Sequence, residues 1–309
     1  MTRALAIAGR DQQPAVQDVP TKGLGPGQVR VAVQAASVNG IDAYVAAGYV
    51  WDSMPHEFPV VLGRDLAGQV EAVADDVTSV SVGDQVAAVI TALDLYTGAV
   101  AERVVVDADQ LVRVPDGVTP VQAAALGLAG VSARALVDAL DLSKEDVVLV
   151  SGATGGVGAL AAQLAAATGA SVIGTARPGT EDFVRALGAA YAVDHTGDLA
   201  AAVRAIAADG VTAVAHAAGD PAALGALLQP GGRLASVVGA TADTVGREDV
   251  TVVPVLADGD PGKLRALLDA VAAGDLQVPI SATFPMDEAP AAVAAFGGHK
   301  LGKLVITVA

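Results

Sequence analysis

Cysteine is absent from the 309 residues, which excludes disulfides, thiolate nucleophiles and thiolate metal ligands together. Histidine is scarce as well, with four in the chain. His56, His195, His216 and His299 lie far apart without H-x-x-x-H spacing, so neither a structural nor a catalytic zinc is expected. Positive charge is in short supply: 18 Lys and Arg stand against 34 Asp and Glu, for a net charge of −16. A field of that sign repels phosphate backbones and argues against general nucleic-acid binding, while leaving room for a local basic patch that includes Arg177. No apolar run approaches the length that spans a bilayer. The opening MTRALAIAGRDQQP meets Arg, Asp and Pro too early for a secretory signal, and Ala4 to Ala8 reads as a first strand. These absences together lead to the expectation of a soluble, cytoplasmic protein with no membrane partner.

What is present is hydrophobic content, at 53%, punctuated throughout by glycine and proline, and a length sufficient for two domains with separate cores. The stretch Val147 to Pro178 carries the most information. A β-branched run at Val147 to Val150 meets a glycine turn, then a helix of good helix formers from Ala159 to Thr168, then Gly169 as a stop before the strand Ser171 to Gly174. Against G-x-G-x-x-G, the three glycine slots hold Ala153, Gly155 and Gly158, and Thr154, Gly156 and Val157 complete the turn. Strand before and helix after are the context in which such a turn lets backbone N–H groups approach a pyrophosphate. At the far end of the second strand, where an acidic residue would accept from an adenosine ribose, stands Arg177. A guanidinium pairs instead with a 2′-phosphate, so NADP(H) is favoured over NAD(H).

The first third is rich in short alternating strands broken by turns near Gly25, Gly83 and Asp116, and reads as a β-rich, barrel-like unit. From Val121 alanine-rich helices alternate with short apolar strands near Val147, Ser171, Val211 to His216 and Arg233 to Gly239, which indicates an α/β doubly wound parallel sheet. A helix at Pro261 to Ala273 and a closing strand at Lys303 to Val308 look like a coda returning to the first unit. The boundaries expected are 1–120 with 259–309 for one domain and 121–258, inserted near the C-terminal end, for the other.

Several segments in order resemble one family, the zinc-independent quinone oxidoreductase branch of the medium-chain dehydrogenase/reductases. They are ASVNGIDAYVAAG at Ala36, PVVLGRDLAGQVEAV at Pro59, VGDQVAA at Val82, LVRVPDGVTPVQAAAL at Leu111, SGATGGVG at Ser151, LGAAYAVDH at Leu187, LLQPGGRLASVVG at Leu227 and HKLGKLVITV at His299. The resemblance implies a GroES-like catalytic domain, a Rossmann domain, NADPH in a cleft between them, and a homodimer. Zinc-dependent relatives place a histidine ligand where this chain has Arg64 in LGRD. Asn39, Asp42 and Tyr44 match the family's N-x-x-D-x-Y segment, beside the nicotinamide and substrate in similar enzymes. Ser132 takes the place of a hydroxyl residue near the nicotinamide ribose, and His195 that of a tyrosine near the adenosine phosphate. Ala218 and Gly239, in the turns after two later strands, complete the cofactor set. Gly127 replaces a frequent proline, and Leu301 replaces the arginine of a terminal R-G-K motif.

The chemistry expected is hydride transfer from NADPH to a conjugated carbonyl or a quinone, a small-molecule partner, without a metal. The resulting oxyanion needs fixed donors. Asn39 and Tyr44 are assigned to orienting nicotinamide and substrate, and Asp42 to holding the loop or Tyr44, although Asn and Asp are also common turn residues. Trp51, Tyr49 and Phe58 either wall a pocket or pack in the core, and His216 reads as a packed or hydrogen-bonded histidine rather than a base. Quinone reduction, enone or enoyl-thioester reduction, and a regulatory NADPH-binding role all stay open. Short-chain dehydrogenases need Tyr-x-x-x-Lys, which is absent: Tyr44, Tyr49, Tyr96 and Tyr191 are followed by Gly48, Ser53, Val100 and His195.

Overall fold

Short runs of Val, Ile and Ala bounded by glycine turns form a parallel sheet in the second half of the chain. In the computed structural model, which describes residues 1–91, 94–256 and 258–308, the chain divides into two units, Met1–Leu128 with Asp258–Ala309 and Ala129–Ala257.

The sheet of the Ala129–Ala257 unit has six strands in the order Tyr191–Asp194, Ser171–Ala176, Val147–Ser151, Val211–His216, Leu228–Ser236 and Thr251–Pro254. Every neighbouring pair is parallel. Counted in chain order this is the doubly wound 3-2-1-4-5-6 arrangement, whose switch point lies between Val147–Ser151 and Val211–His216. Helices cover such a sheet on both faces, so its strands carry near-continuous apolar runs. Leu149, Ile173, Val214 and Leu234 are fully buried at its centre.

Three local details differ from expectation. The helix after the glycine turn is Gly156–Ala167, which begins before Ala159 and places Gly158 in its first turn. The strand expected at Arg233 to Gly239 spans Leu228–Ser236, so Gly239 belongs to the loop beyond it. Tyr191–Asp194 and Thr251–Pro254 add edge strands too short to carry a periodic signal.

The other unit contains a seven-stranded sheet and a three-stranded one. Gln28–Ser37 is the hub of the larger sheet, pairing antiparallel with Lys303–Thr307, Asp65–Val73 and Arg103–Asp107. Lys303–Thr307 is almost wholly buried, and seating its apolar face beside Ala36 returns the end of the chain to the first sheet. The parallel-sheet unit is therefore an insertion in an otherwise continuous β-rich unit. Ala15–Val19, Thr2–Ile7 and Val60–Val61 make the small sheet.

The helix Pro120–Leu140 qualifies the reading that no apolar run approaches membrane-spanning length. It has 21 residues and a mean hydropathy of 1.5 over its most apolar window, enough by length and composition to cross a bilayer. Scanning for unbroken apolar runs missed it because Gln122, Ser132, Arg134 and Asp138 interrupt it, whereas hydropathy averages over them. Within the protein 72% of that window is buried, as in a core helix, and the backbone breaks at Gly127 with φ −34 and ψ −109.

Candidate functional site

The turn after Val147–Ser151 has the shape of an anion cradle. Gly152 takes φ +71, its N–H donates to Thr175 Oγ1 at 2.8 Å, and its carbonyl accepts from Gly155 N at 2.9 Å. The left-handed residue thus comes just before the first fingerprint slot, which lets Ala153 occupy that slot without strain. Ala153 is fully buried and faces Gly174, where an added Cβ would sit 3.2 Å from it. At Gly158 an added Cβ would meet Gly152 O at 2.1 Å, so glycine there is demanded by helix-on-turn packing. At Gly155 the nearest atom to an added Cβ is Gly152 O at 3.4 Å. The protein itself tolerates a side chain at Gly155, so glycine there is not demanded by packing within the chain. Thr154, Gly156 and Val157 are half-buried around it, at the N-terminus of a helix whose first N–H groups lack intrahelical acceptors. The residues present fit a dinucleotide.

Arg177 lies directly after Ser171–Ala176, exposed, with its backbone N–H on Thr180 Oγ1 at 2.9 Å. The register Ala176 beside Asp194 brings His195 to the same corner, where its N–H donates to Ala176 O at 3.1 Å. Sequence reasoning missed Asp194. Thr196 donates to its carboxylate from N and Oγ1 at 2.8 and 2.7 Å, and these bonds, with the charges of His195 and Arg177, hold it below the usual carboxylate range.

On the other side of the switch point, Ala218 and Gly239 are exposed loop residues, and Gly239 has φ +83. Below them Ser151, His216 and Ser236 are buried. His216 Nδ1 lies 3.0 Å from Ser236 Oγ and Nε2 lies 3.1 Å from Gly219 O. Burial lowers the pKa of its imidazole, against the pull of Gly219 O and Asp220. Ser132 is buried in the second half of the Pro120–Leu140 helix.

In the β-rich unit, Asn39 precedes the helix Gly40–Ala46 and is the centre of a buried polar cluster. Its Nδ2 donates to Asp65 Oδ2 at 2.7 Å and to Ser37 O at 3.4 Å, and its Oδ1 accepts from Lys303 Nζ at 2.6 Å. Both amide hydrogens and the amide oxygen are spent on the protein, so the Asn39 side chain holds the loop and has no donor left for a ligand. Asp42 accepts from Asn39 N at 2.8 Å and Gly63 N at 2.9 Å, which ties the loop rather than Tyr44. Burial lifts its carboxyl to about 6, with Asp65 adding to the rise and the two N–H donors and Lys303 opposing it. Tyr44 is 56% exposed, its ring 6.1 Å from that of Tyr49. Trp51 and Phe58 pack in the core cluster, with ring centroids 5.3 Å apart, while Tyr49 is exposed.

Asp65, Lys303 and Ser37 were not singled out from the sequence. Asp65 is fully buried, accepts from Ser37 Oγ and from Leu128 N at 2.6 Å, and has Lys303 Nζ at 3.9 Å. An added Cβ at Gly127 would lie 2.6 Å from Asp65 Oδ1, so the kink and the carboxylate occupy one space. Lys303 Nζ also donates to Val38 O at 2.8 Å. Burial lowers its pKa, and Asp65 and Asp42 oppose that shift. The available signal was a charge at the head of each of two strands that continue apolar, DLAGQV and KLVIT. Arg64, for which the resemblance implied the place of a zinc ligand, is buried and donates to Asp94 O at 2.9 Å. Among the described residues no His, Asp and Glu converge as a metal-ligating group.

Comparison with known proteins places these features in context. Residues 25–116 match the alcohol dehydrogenase GroES-like domain and residues 187–306 match the zinc-binding dehydrogenase family. The polyketide synthase GfsB of Streptomyces halstedii is 41% identical over 169 residues, 54% of this chain and 3% of that protein. The chain spans only 3% and 5% of the two polyketide synthases GfsB and PikAII. A chloroplastic quinone oxidoreductase of Triphysaria versicolor is 27% identical over 307 residues, 94% of this chain and 92% of the relative. The solved structure of a quinone oxidoreductase from Coxiella burnetii superposes with a TM-score of 0.90 at 28% identity, covering 100% of this chain and 99% of that one.

Proposed function

This chain belongs to the medium-chain dehydrogenase/reductase superfamily, as a quinone oxidoreductase-like member, and on that premise we propose that it passes hydride from NADPH to a quinone without a metal. The observation that carries this reading is the Ala153–Gly158 cradle, open at Gly155, with the exposed Arg177 at the end of the neighbouring strand. N–H groups of the helix start receive the pyrophosphate, and Arg177 with His195 receives the 2′-phosphate end. Ser132 serves the nicotinamide ribose. When bound, the dihydronicotinamide supplies the hydride.

Charge that develops on the acceptor oxygen needs a donor. Tyr44 Oη is the free side-chain donor of the Asn39–Tyr44 segment, since Asn39 and Asp42 are committed to the loop. Tyr44→Phe is expected to lower kcat while leaving NADPH affinity nearly unchanged; full turnover in the variant would remove the hydroxyl from the mechanism.

A second reading, reduction of an enone or enoyl thioester, is supported by the identity to polyketide synthases, because both acceptors take hydride into a conjugated system. Calorimetry with NADPH and NADH, followed by turnover on a quinone, a simple enone and a crotonyl thioester, tests both. Quinone turnover with NADPH supports the first reading and thioester turnover the second. Binding without turnover on any of the three points to a regulatory NADPH-binding protein. Uptake of neither nucleotide by folded protein rejects all three.

A further inference from the structure

Adjacent strands of the parallel sheet end on polar residues in register, Ser151 beside His216 and His216 beside Ser236. Their exposures are 3%, 1% and 1%, at the ends of strands whose central residues Leu149, Val214 and Leu234 are apolar and fully buried. Buried polar groups need partners, and every partner here is either another member of the row or backbone at the carboxyl end of the sheet. Ser151 Oγ accepts from Ala217 N and Ala218 N at 3.2 and 3.4 Å. Ser236 Oγ accepts from Val238 N and Ala240 N at 3.2 and 3.1 Å. With both lone pairs taken, the Ser236 hydroxyl has only its proton to offer, and His216 Nδ1 at 3.0 Å receives it. The ring proton then sits on Nε2 and is donated to Gly219 O at 3.1 Å. The imidazole is neutral, and it joins the loop after one strand to the loop after the next.

We propose that His216 is a positioning residue for the nicotinamide half of the dinucleotide, acting through the Ala217–Gly219 and Val237–Ala240 loops that it ties together. The inference rests on the dinucleotide reading above. Sheet order puts the Arg177 corner on one side of Val147–Ser151 and His216 on the other, and a doubly wound sheet divides a dinucleotide between its two halves in this way. His216 therefore acts on the end of the ligand that Arg177 does not touch.

Titration calorimetry with NADPH and with its fragment adenosine 2′,5′-bisphosphate separates the two ends. His216→Leu is expected to weaken NADPH about tenfold, as the loss of one or two hydrogen bonds allows, and to leave the adenosine fragment within about twofold. His216→Asn, which keeps an acceptor toward Ser236, should recover part of the NADPH affinity. Arg177→Ala should weaken both ligands. Should His216→Leu not fold, Ser236→Ala carries the same test, with NADPH weakened and the fragment spared. Equal losses on both ligands, or no loss on either, would overturn the positioning role. A wild-type protein that binds the fragment and NADPH normally keeps the dinucleotide reading intact in that event; one that binds neither removes that reading first and this inference with it.

Discussion

Two buried polar groups lie under the two candidate loops, and they are built on opposite principles. Around Asn39 the cluster is charged: Asp42, Asp65 and Lys303 are buried together and meet one another's demands through Asn39, Ser37 and nearby backbone. Along Ser151, His216 and Ser236 the row is neutral and most of its bonds go to loop backbone. An ion removed from water costs several kcal/mol unless paired, whereas a neutral hydrogen bond contributes about 1 kcal/mol. The charged cluster therefore locks its loop strongly, and the neutral row shapes its loops at little electrostatic cost.

The contrast predicts a hierarchy of effects. Lys303→Met should lower the unfolding free energy by about 3–5 kcal/mol in urea titration, because Asp65 and Asn39 lose a buried partner. A loss under about 1 kcal/mol would make the cluster no stronger than a neutral hydrogen bond and dissolve the contrast.

Acidification should move the two regions in opposite directions. Asp42, raised from 3.8 to about 6, is protonated in the folded chain before the unfolded one, so its contribution is present at low pH and lost as pH rises through about 6. At one pKa unit per 1.36 kcal/mol this is about 3 kcal/mol, read as the difference between wild type and Asp42→Asn across that range. His216, whose pKa is lowered, contributes stability that grows as pH rises toward its unfolded value of 6.5. Wild type minus His216→Asn should slope upward where the Asp42 difference slopes down, and parallel slopes would contradict the assignment of charged and neutral states.

Arg177→Ala should cost NADPH about 1.5–3 kcal/mol of binding, a tenfold loss or more, and NADH little. Calorimetry showing equal losses would take the 2′-phosphate away from Arg177. The smallest effect on folding separates two glycines of the cradle. Gly158→Ala places a Cβ 2.1 Å from Gly152 O and should cost about 1–3 kcal/mol of stability. Gly155→Ala should leave the melting temperature nearly unchanged while weakening the dinucleotide, and a destabilised Gly155→Ala would mean that the open space serves the fold.

Local chemistry was legible. The strand, turn and helix around Gly155 follow from composition, and the close approach at Gly158 is what the third fingerprint glycine anticipates. The fingerprint alone did not reveal that Gly152, and not the residue in the first slot, takes the positive φ. Asn39 and Asp42 stood out through the N-x-x-D-x-Y segment of the family the chain resembles, but Asn and Asp suit a ligand contact and a turn equally. Only the partners decide between these. Asn39 and Lys303 are 264 positions apart, so no window of sequence contains the bond that uses up the Asn39 amide oxygen.

By itself the sequence determined the periodic elements, the glycine turn and the guanidinium after the second strand, since each depends on residues within one or two turns of chain. Tertiary structure alone decided which polar side chains are consumed and which remain available. Desolvation makes an unpartnered buried group costly, and whether a partner exists is set by strand register and by the return of the chain terminus to the first sheet, neither of which is encoded at any single place along the chain.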